Sequence, residues 1–501
     1  MVQGVDAVPV QVEATCRSAG DGTPKLLGLV DACVREAYHR VLQAFFALDL
    51  SPPRGVTTVN FAPASLKKQG SGFDLPLALA LAGAAGLYPP ERAVGLFAFG
   101  EISLTGHLLP ARGAVSVAIA AQKHRATGLL CCPTDAATCS IIDQLSLYGA
   151  ETLADAIDWL AGKRPLPPIP ARSIATAPVL PDLGDLRGHT TPKLALTVAA
   201  AGGHNLLFTG PPGTGKSAML RRLPGILPPL SASERLAVLQ VHATAGLSLD
   251  NGAQRTLRAP HHTSSAASLL GGGTDIRPGE VTLAHHGVLF LDELPEFRRD
   301  VLEAMRQPLE DGTVTVGRAQ RTVTMPAQFL LTAAMNPCPC GYLGHRLRPC
   351  LCTPAAITRY RRRLSGPLLD RIDLRVEVPA LTPAELRQPE ESSGTTKALR
   401  DRVMIAHERQ RHRYRHSNDP TFTPNARLSG RHLAAACDAD EIAMNALDEM
   451  LQRHHQSPRS RVRMLRMART LADLDDRPSV NEIDVWQAAS LRGFATNGMQ
   501  M

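Results

Sequence analysis

The chain has 501 residues, 44% hydrophobic and 20% charged, with a formal charge of +8, which is material for roughly three ordinary soluble domains. No apolar run is long enough to span a bilayer, and MVQGVDAVPVQVEATC at the start lacks a basic segment leading into an apolar core, so neither a membrane protein nor a secretory leader is expected. Ten cysteines, four of them between Cys338 and Cys352, suit a reducing, cytoplasmic setting better than a disulfide framework.

In chain order, residues 1–164 mix β-rich segments (VTTVNFAPASL, AVGLFAFGEISL) with apolar helices such as DLPLALALAGAAG, which predicts an α/β domain. The six prolines of KRPLPPIPARSIATAPVLPDL make 165–183 an extended linker. Residues 184–380 alternate apolar strands (HNLLFTG, GVLFLDE, QFLLTAAMN) with helices, the pattern of a parallel sheet whose strand ends face a ligand. From 381 to 501 the periodicity is helical, a lid.

GPPGTGKS, comprising Gly210, Pro211, Pro212, Gly213, Thr214, Gly215, Lys216 and Ser217, follows an apolar strand and opens a helix. Its glycines let backbone N–H groups wrap phosphates, Lys216 reaches the β and γ oxygens, and Ser217 offers a hydroxyl to Mg²⁺. VLFLDE ends a buried strand in Asp292, placed to hold Mg²⁺, and Glu293, placed to polarise the attacking water. QFLLTAAMN ends in Asn336, suited to orienting water near the γ-phosphate. ATP and Mg²⁺ are therefore the expected cofactors. Arg371 in SGPLLDRIDL precedes a strand, and Arg459 in QSPRSRVRML begins a helix; a planar guanidinium suits developing phosphate charge and can come from a neighbouring subunit, while surface salt bridges are the plainer reading of both.

Together GPPGTGKS, FLDELPEF, AAMNPCPCG, SGPLLDRIDL and ARTLADL resemble the AAA+ proteins of the magnesium-chelatase-like YifB/ComM family, along nearly the whole chain. The resemblance implies a homo-oligomeric ring, a hexamer, that hydrolyses ATP and acts on single-stranded or branched DNA as a branch-migration helicase. It makes Asn336 similar to sensor 1, Arg371 to a trans-acting arginine finger and Arg459 to sensor 2. RGHTTPKLAL departs from the family at His189, where Gly-Gln is more usual, and this bears on adenine-side contacts. The N-terminal unit resembles a Lon-protease-like domain. Its lysine-bearing segment has no lysine from Ala111 to Gln122, and the serine position falls on or beside Gly72, next to Ser71, so an inactive scaffold or DNA-handling module is implied.

CPCGYLGHRLRPCLC supplies Cys338, Cys340, Cys350 and Cys352, enough thiolates for a tetrahedral structural Zn²⁺ site, with disulfides or free thiols as the alternatives. Cys131 and Cys132 read as buried small hydrophobes. TVTVGRAQRTVTM, Thr313 to Met325, predicts a hairpin around a glycine-containing turn, on which Arg318 and Arg321 either grip a phosphate backbone or solubilise an exposed tip. The basic helix from Ala398 to His416 faces nucleic acid or solvent. The histidine pair of PHHTSS is not expected to bind metal, because adjacent side chains on a helix or strand diverge, and LLGGG after it reads as a mobile loop. Two other functions compete with the DNA motor: a motor for metal insertion or protein remodelling, and a switch in which ATP binding only drives assembly.

Overall fold

The computed structural model describes residues 1–17, 24–169, 180–247, 255–273, 276–318, 321–345, 348–387, 392–415 and 422–494. Most of the proline-rich segment, 170–179, thus lies outside the described residues. Among them no helix is long and apolar enough to cross a membrane.

The N-terminal unit carries two three-stranded sheets. Gln11–Arg17, Val56–Ala62 and Lys25–Leu27 form one, and the all-parallel Leu147–Gly149, Gly128–Cys131 and Leu96–Ala98 form the other. Between them runs the apolar helix Asp74–Ala84, whose first residue is fully buried and held by Arg40 at 2.9 and 3.0 Å and by the Ile102 N–H at 3.2 Å. A buried carboxylate needs such donors. At the position where the resemblance places a serine, a Cβ on Gly72 would lie 2.0 Å from the Phe99 ring; that ring fills the space a nucleophile would need. Ser116, in the segment that lacks the lysine, donates to the Val5 carbonyl at 2.6 Å and lies 3.3 Å from the Thr244 hydroxyl. The helix Ala114–Lys123 is thereby docked onto Ala232–Ala245 of the central unit.

The central sheet has five parallel strands in the order Leu257–Arg258, Val288–Leu291, Leu330–Met335, Leu206–Thr209, Leu374–Glu377. Val288–Leu291 and Leu330–Met335 are buried throughout, as strands covered by helices on both faces must be. All five point the same way, so one sheet edge gathers the carboxyl ends and the other the amino ends. Thr313–Arg318 and Arg321–Pro326 form the expected antiparallel hairpin just before Leu330–Met335. Gly317 is paired with Thr322 within the ladder rather than placed in the turn. The turn residues 319–320 and the Arg318 and Arg321 side chains lie outside what is described. The LLGGG segment is not an irregular loop: Ala266–Leu270 is a short helix, and Gly271–Gly272 pairs with Arg277–Pro278. A Cβ on Gly271 would meet the Arg277 carbonyl at 2.6 Å, so close pairing demands glycine there.

The lid is built on helix Pro458–Leu474, which packs against Thr396–Arg415, Thr190–Gly202 and Glu482–Leu491. Arg469 and Asp473, one turn apart and each 1% exposed, pair at 2.9 Å. The basic helix Thr396–Arg415 turns much of its charge inward. Arg413 pairs with Asp473, Arg409 with Asp476, and Arg402 with Asp475 at 3.6 Å. Three of its arginines therefore serve the lid.

Where the lid meets the sheet, His285 and His286 stack with ring centroids 3.9 Å apart. His286 lies 3.4 Å from Glu234, which also takes Arg255 at 3.2 Å. Burial pushes His285 down to about 3, and His286 and His407 down to about 4. Groups kept neutral in the fold but protonated in the unfolded chain make stability fall as pH drops from about 6.5 toward 4. Glu234 adds its loss lower: burial raises its carboxyl, but Arg255, the Ser231 N–H and His286 outweigh that and hold it below its ordinary value. Thermal unfolding should thus move to lower temperature across that range, and His286→Asn, which tolerates the left-handed backbone at φ 53°, should flatten the curve; an unchanged slope would refute this origin.

Candidate nucleotide site

At the carboxyl edge of the sheet, the strand Leu206–Thr209 runs into Gly210. A Cβ there would stand 2.2 Å from the Val378 carbonyl, so only glycine lets the loop leave the sheet. Gly213 and Gly215 adopt φ of 79° and 84°, and at both the Cβ direction opens on empty space. The result is a backbone cradle with nothing over it, the shape a phosphate chain needs.

Lys216 is buried at the start of helix Lys216–Arg222. Its Nζ donates to the Gly210 and Pro211 carbonyls at 2.6 and 2.7 Å and lies 3.4 Å from Asn336 Oδ1. Burial pushes its pKa down, and the Asp292 carboxylate opposes that shift. Thr214 Oγ1 donates to the Pro211 carbonyl at 3.0 Å. Lys216, Asp292 and Asn336 therefore share one small volume, reached from three adjacent strands.

Glu293 follows Asp292 in a left-handed conformation, φ 51°. Its N–H bonds to Asp292 Oδ1 at 3.0 Å, and its Oε2 lies 3.5 Å from His262 Nδ1. The sequence reading missed this contact. His261 and His262 sit in a turn, where their rings stack 4.1 Å apart instead of diverging. A polar run, PHHTSS, directly after the short strand Leu257–Arg258 was the available signal.

The four cysteines converge behind Asn336. All four Sγ atoms lie within 4.8 Å of one another, with Cys338 3.4 Å from Cys340 and both 3.6 Å from Cys350. Thiolates on a tetrahedral zinc stand about 3.8 Å apart, given a Zn–S bond near 2.3 Å, so the donor set fits that ion. The knuckle touches the nucleotide site directly. A Cβ on Gly341 would be 2.8 Å from the Pro212 ring and 3.8 Å from the Asn336 side chain. Past the last cysteine, helix Pro354–Arg361 is capped by Thr353 and carries Tyr360, whose phenol is pushed up to about 12, chiefly by burial.

The two arginines are not at this site. Arg371 and Arg459 line a separate cavity of about 540 Å³ with Glu310, Arg427, Arg463 and Arg466. Its walls include Asn205, Phe329 and Asp373, the residues at the amino ends of three sheet strands. Lys216, Asp292 and Asn336 belong to the carboxyl ends. Four strand residues separate the edges by about 13 Å at the usual rise. Arg371 donates to the Pro367 carbonyl at 2.7 Å and is paired with Glu310.

A parallel sheet in this strand order, with a glycine-lysine loop and two carboxylates at its carboxyl edge, is a P-loop nucleotide-binding module of the AAA+ kind. Family models described as magnesium chelatase, subunit ChlI match residues 182–386, 12–135 and, for the C-terminal part, 393–492. The chain is 38% identical over 501 residues to the uncharacterized protein YifB of Salmonella typhimurium, covering 98% of this chain and 95% of that one. It is 37% identical over 500 residues to the competence protein ComM of Haemophilus influenzae, covering 98% and 96%. A shorter likeness, 28% over 148 residues, covers 29% of the chain and 22% of the DNA replication licensing factor MCM3 of Entamoeba histolytica. The chain belongs to the magnesium-chelatase-like YifB/ComM family of AAA+ proteins.

Proposed function

We propose that this chain is a ring-forming Mg²⁺-dependent ATPase that moves single-stranded or branched DNA, in the manner of a branch-migration helicase. The observation that carries the ring is the placement of Arg371 and Arg459 at the opposite sheet edge from Lys216. A protomer cannot bring them to its own phosphates, whereas a second copy stacked edge to edge presents them to its neighbour's.

In this reading Gly210 to Ser217 cradle the triphosphate, and Lys216 leaves its carbonyl partners for phosphate oxygens. Ser217 and Asp292 would hold Mg²⁺, which would supply positive charge to offset that of the triphosphate. Glu293 accepts the proton of the attacking water, and Asn336 orients that water. The neighbour's Arg371 and Arg459 meet the charge that develops on the γ-phosphate. His262, on Glu293, is suited to withholding that carboxylate until the site is assembled.

Support for DNA as the client is the hairpin Thr313–Pro326 attached directly to the sensor strand, together with the likeness to an MCM protein. The test is MgATP turnover with and without single-stranded, duplex and forked DNA, alongside a strand-migration assay. DNA should raise turnover several-fold and forked DNA most. Turnover without any DNA stimulation or binding would move the assignment to a protein or tetrapyrrole client.

Zinc held by Cys338, Cys340, Cys350 and Cys352 completes the proposal. Metal analysis should find about one zinc per chain, and Cys338→Ser with Cys350→Ser should abolish it. Because Gly341 rests on Pro212, removing the metal with a chelator should lower ATP turnover as well. Full activity in a metal-free protein would exclude this coupling.

A further inference from the structure

Residues 204 and 205, just before the P-loop strand, touch both arginine-bearing elements. Asn205 Nδ2 donates to the Arg371 carbonyl at 2.9 Å, while Asn205 Oδ1 accepts the Leu331 N–H at 2.9 Å. Leu331 belongs to the strand that ends beside Asn336. Asn205 also accepts the Asp373 and Leu374 N–H groups on its own carbonyl at 3.1 and 3.0 Å. One amide thus ties the finger's backbone to the two strands that carry Lys216 and Asn336 at their far ends.

His204 makes the matching connection to the other arginine. Fully buried, it places Nε2 2.8 Å from Thr470 Oγ1 and Nδ1 3.5 Å from Asp373 Oδ2. Thr470 Oγ1 also lies 3.0 Å from the Arg466 carbonyl and accepts from Asn425 Nδ2 at 3.1 Å, so the hydroxyl ties His204 into the lid whichever tautomer the imidazole holds. Thr470 lies on the helix that begins with Arg459. A Cβ on Gly202 would collide with both His204 and Thr470 at 2.4 to 2.5 Å, so the close approach of strand and lid helix is built in.

We propose that His204 and Asn205 are positioning residues for ATP hydrolysis in the neighbouring subunit: they clasp Arg371 and the Arg459 helix to the amino ends of the strands whose carboxyl ends read the protomer's own nucleotide. The inference rests on the reading of the arginines as acting in trans. A parallel sheet is stiff along its strands, so a shift at the P-loop or at Asn336 is delivered to the clasp without being absorbed on the way. Asn205 touches no phosphate of its own protomer, and a loss confined to the next subunit is the signature of its role.

Mixed assemblies of the full chain read this directly. Lys216→Ala subunits supply a finger but no phosphate site, and Arg371→Ala subunits supply a phosphate site but no finger; mixed, they should regain turnover that neither has alone. Adding Asn205→Ala to the Lys216→Ala subunit should remove that regained activity, on the order of 10²-fold for a displacement near 1 Å. Adding it instead to the Arg371→Ala subunit should leave most of the regained activity. Thr470→Val, which removes the hydroxyl bonded to His204, should show the same one-sided loss.

Equal loss in both placements overturns the clasp, since a merely structural residue has no preferred side. Should Asn205→Ala compromise folding in both, Thr470→Val leaves Asn205 in place, and a symmetric loss there is decisive against the proposal. If the two parent variants do not complement each other while the unsubstituted chain turns over ATP, trans action fails and this inference falls with it.

Discussion

Arg371→Ala chains are expected to bind MgATP with unchanged affinity and to hydrolyse it about 10³-fold more slowly, the low end of what an arginine finger contributes. Ground-state binding rests on the cradle from Gly210 to Ser217, which the substitution leaves intact. In the proposed role the guanidinium acts on charge that appears only as the γ-phosphate departs, so its removal should lower turnover and not affinity. Arg371→Lys should recover little, because a single ammonium cannot reproduce a planar fork held at one end by the Pro367 carbonyl. The Glu310 partner adds a second expectation. Its carboxylate is held below its ordinary value by Arg371 first and by Arg459 more weakly, so phosphate must displace it, and Glu310→Gln should ease that exchange. Turnover of Arg371→Ala at the unsubstituted rate, measured together with nucleotide affinity, would show that the finger lies elsewhere.

The backbone of the candidate phosphate site was legible in the sequence because its geometry is local. A glycine-rich turn between a strand and a helix dictates its own backbone, and Gly213, Gly215 and Lys216 stand as the motif requires. Asp292 and Asn336 were legible for a related reason: each ends a run of apolar residues that must be a buried strand, and parallel strands deliver their ends to one edge. The placement of Arg371 followed from the same rule, since it stands just before the parallel strand Leu374–Glu377 and so at the amino edge, away from Lys216. Arg459 was different: it opens the helix Pro458–Leu474, and nothing in the spacing said which edge that helix end would reach. The contact of His262 with Glu293 was hidden by a rule for helices and strands applied to a turn, where adjacent rings are free to stack. LLGGG suggested a loop because of its glycines, whereas it holds a helix end and a paired strand, and Gly271 is glycine because the chain opposite comes too close for any side chain.

Asp473→Ala is expected to be the most destabilising single change in the lid. Its carboxylate, 1% exposed, receives Arg469 at 2.9 and 3.2 Å, Arg413 at 2.5 and 2.8 Å and Asn425 at 2.8 Å. Removing it leaves two guanidiniums facing each other without a counter-ion, and breaking a buried pair by deleting one partner costs about 3–5 kcal/mol. Arg469 itself stays satisfied in part, through the Ala436, Pro478 and Arg477 carbonyls, while Arg413 keeps, among the described residues, only the Asn425 Oδ1 bond at 3.0 Å. Replacing Arg413 and Asp473 together by apolar residues should therefore cost less than Asp473→Ala alone. Trp486, on the neighbouring helix Glu482–Leu491, gives a local fluorescence readout. Its transition should move to much lower denaturant in Asp473→Ala and recover in part in the double variant. A lid that unfolds at the unsubstituted midpoint without Asp473 would mean that apolar packing around Met464, Met467 and Leu471 holds the lid without this network.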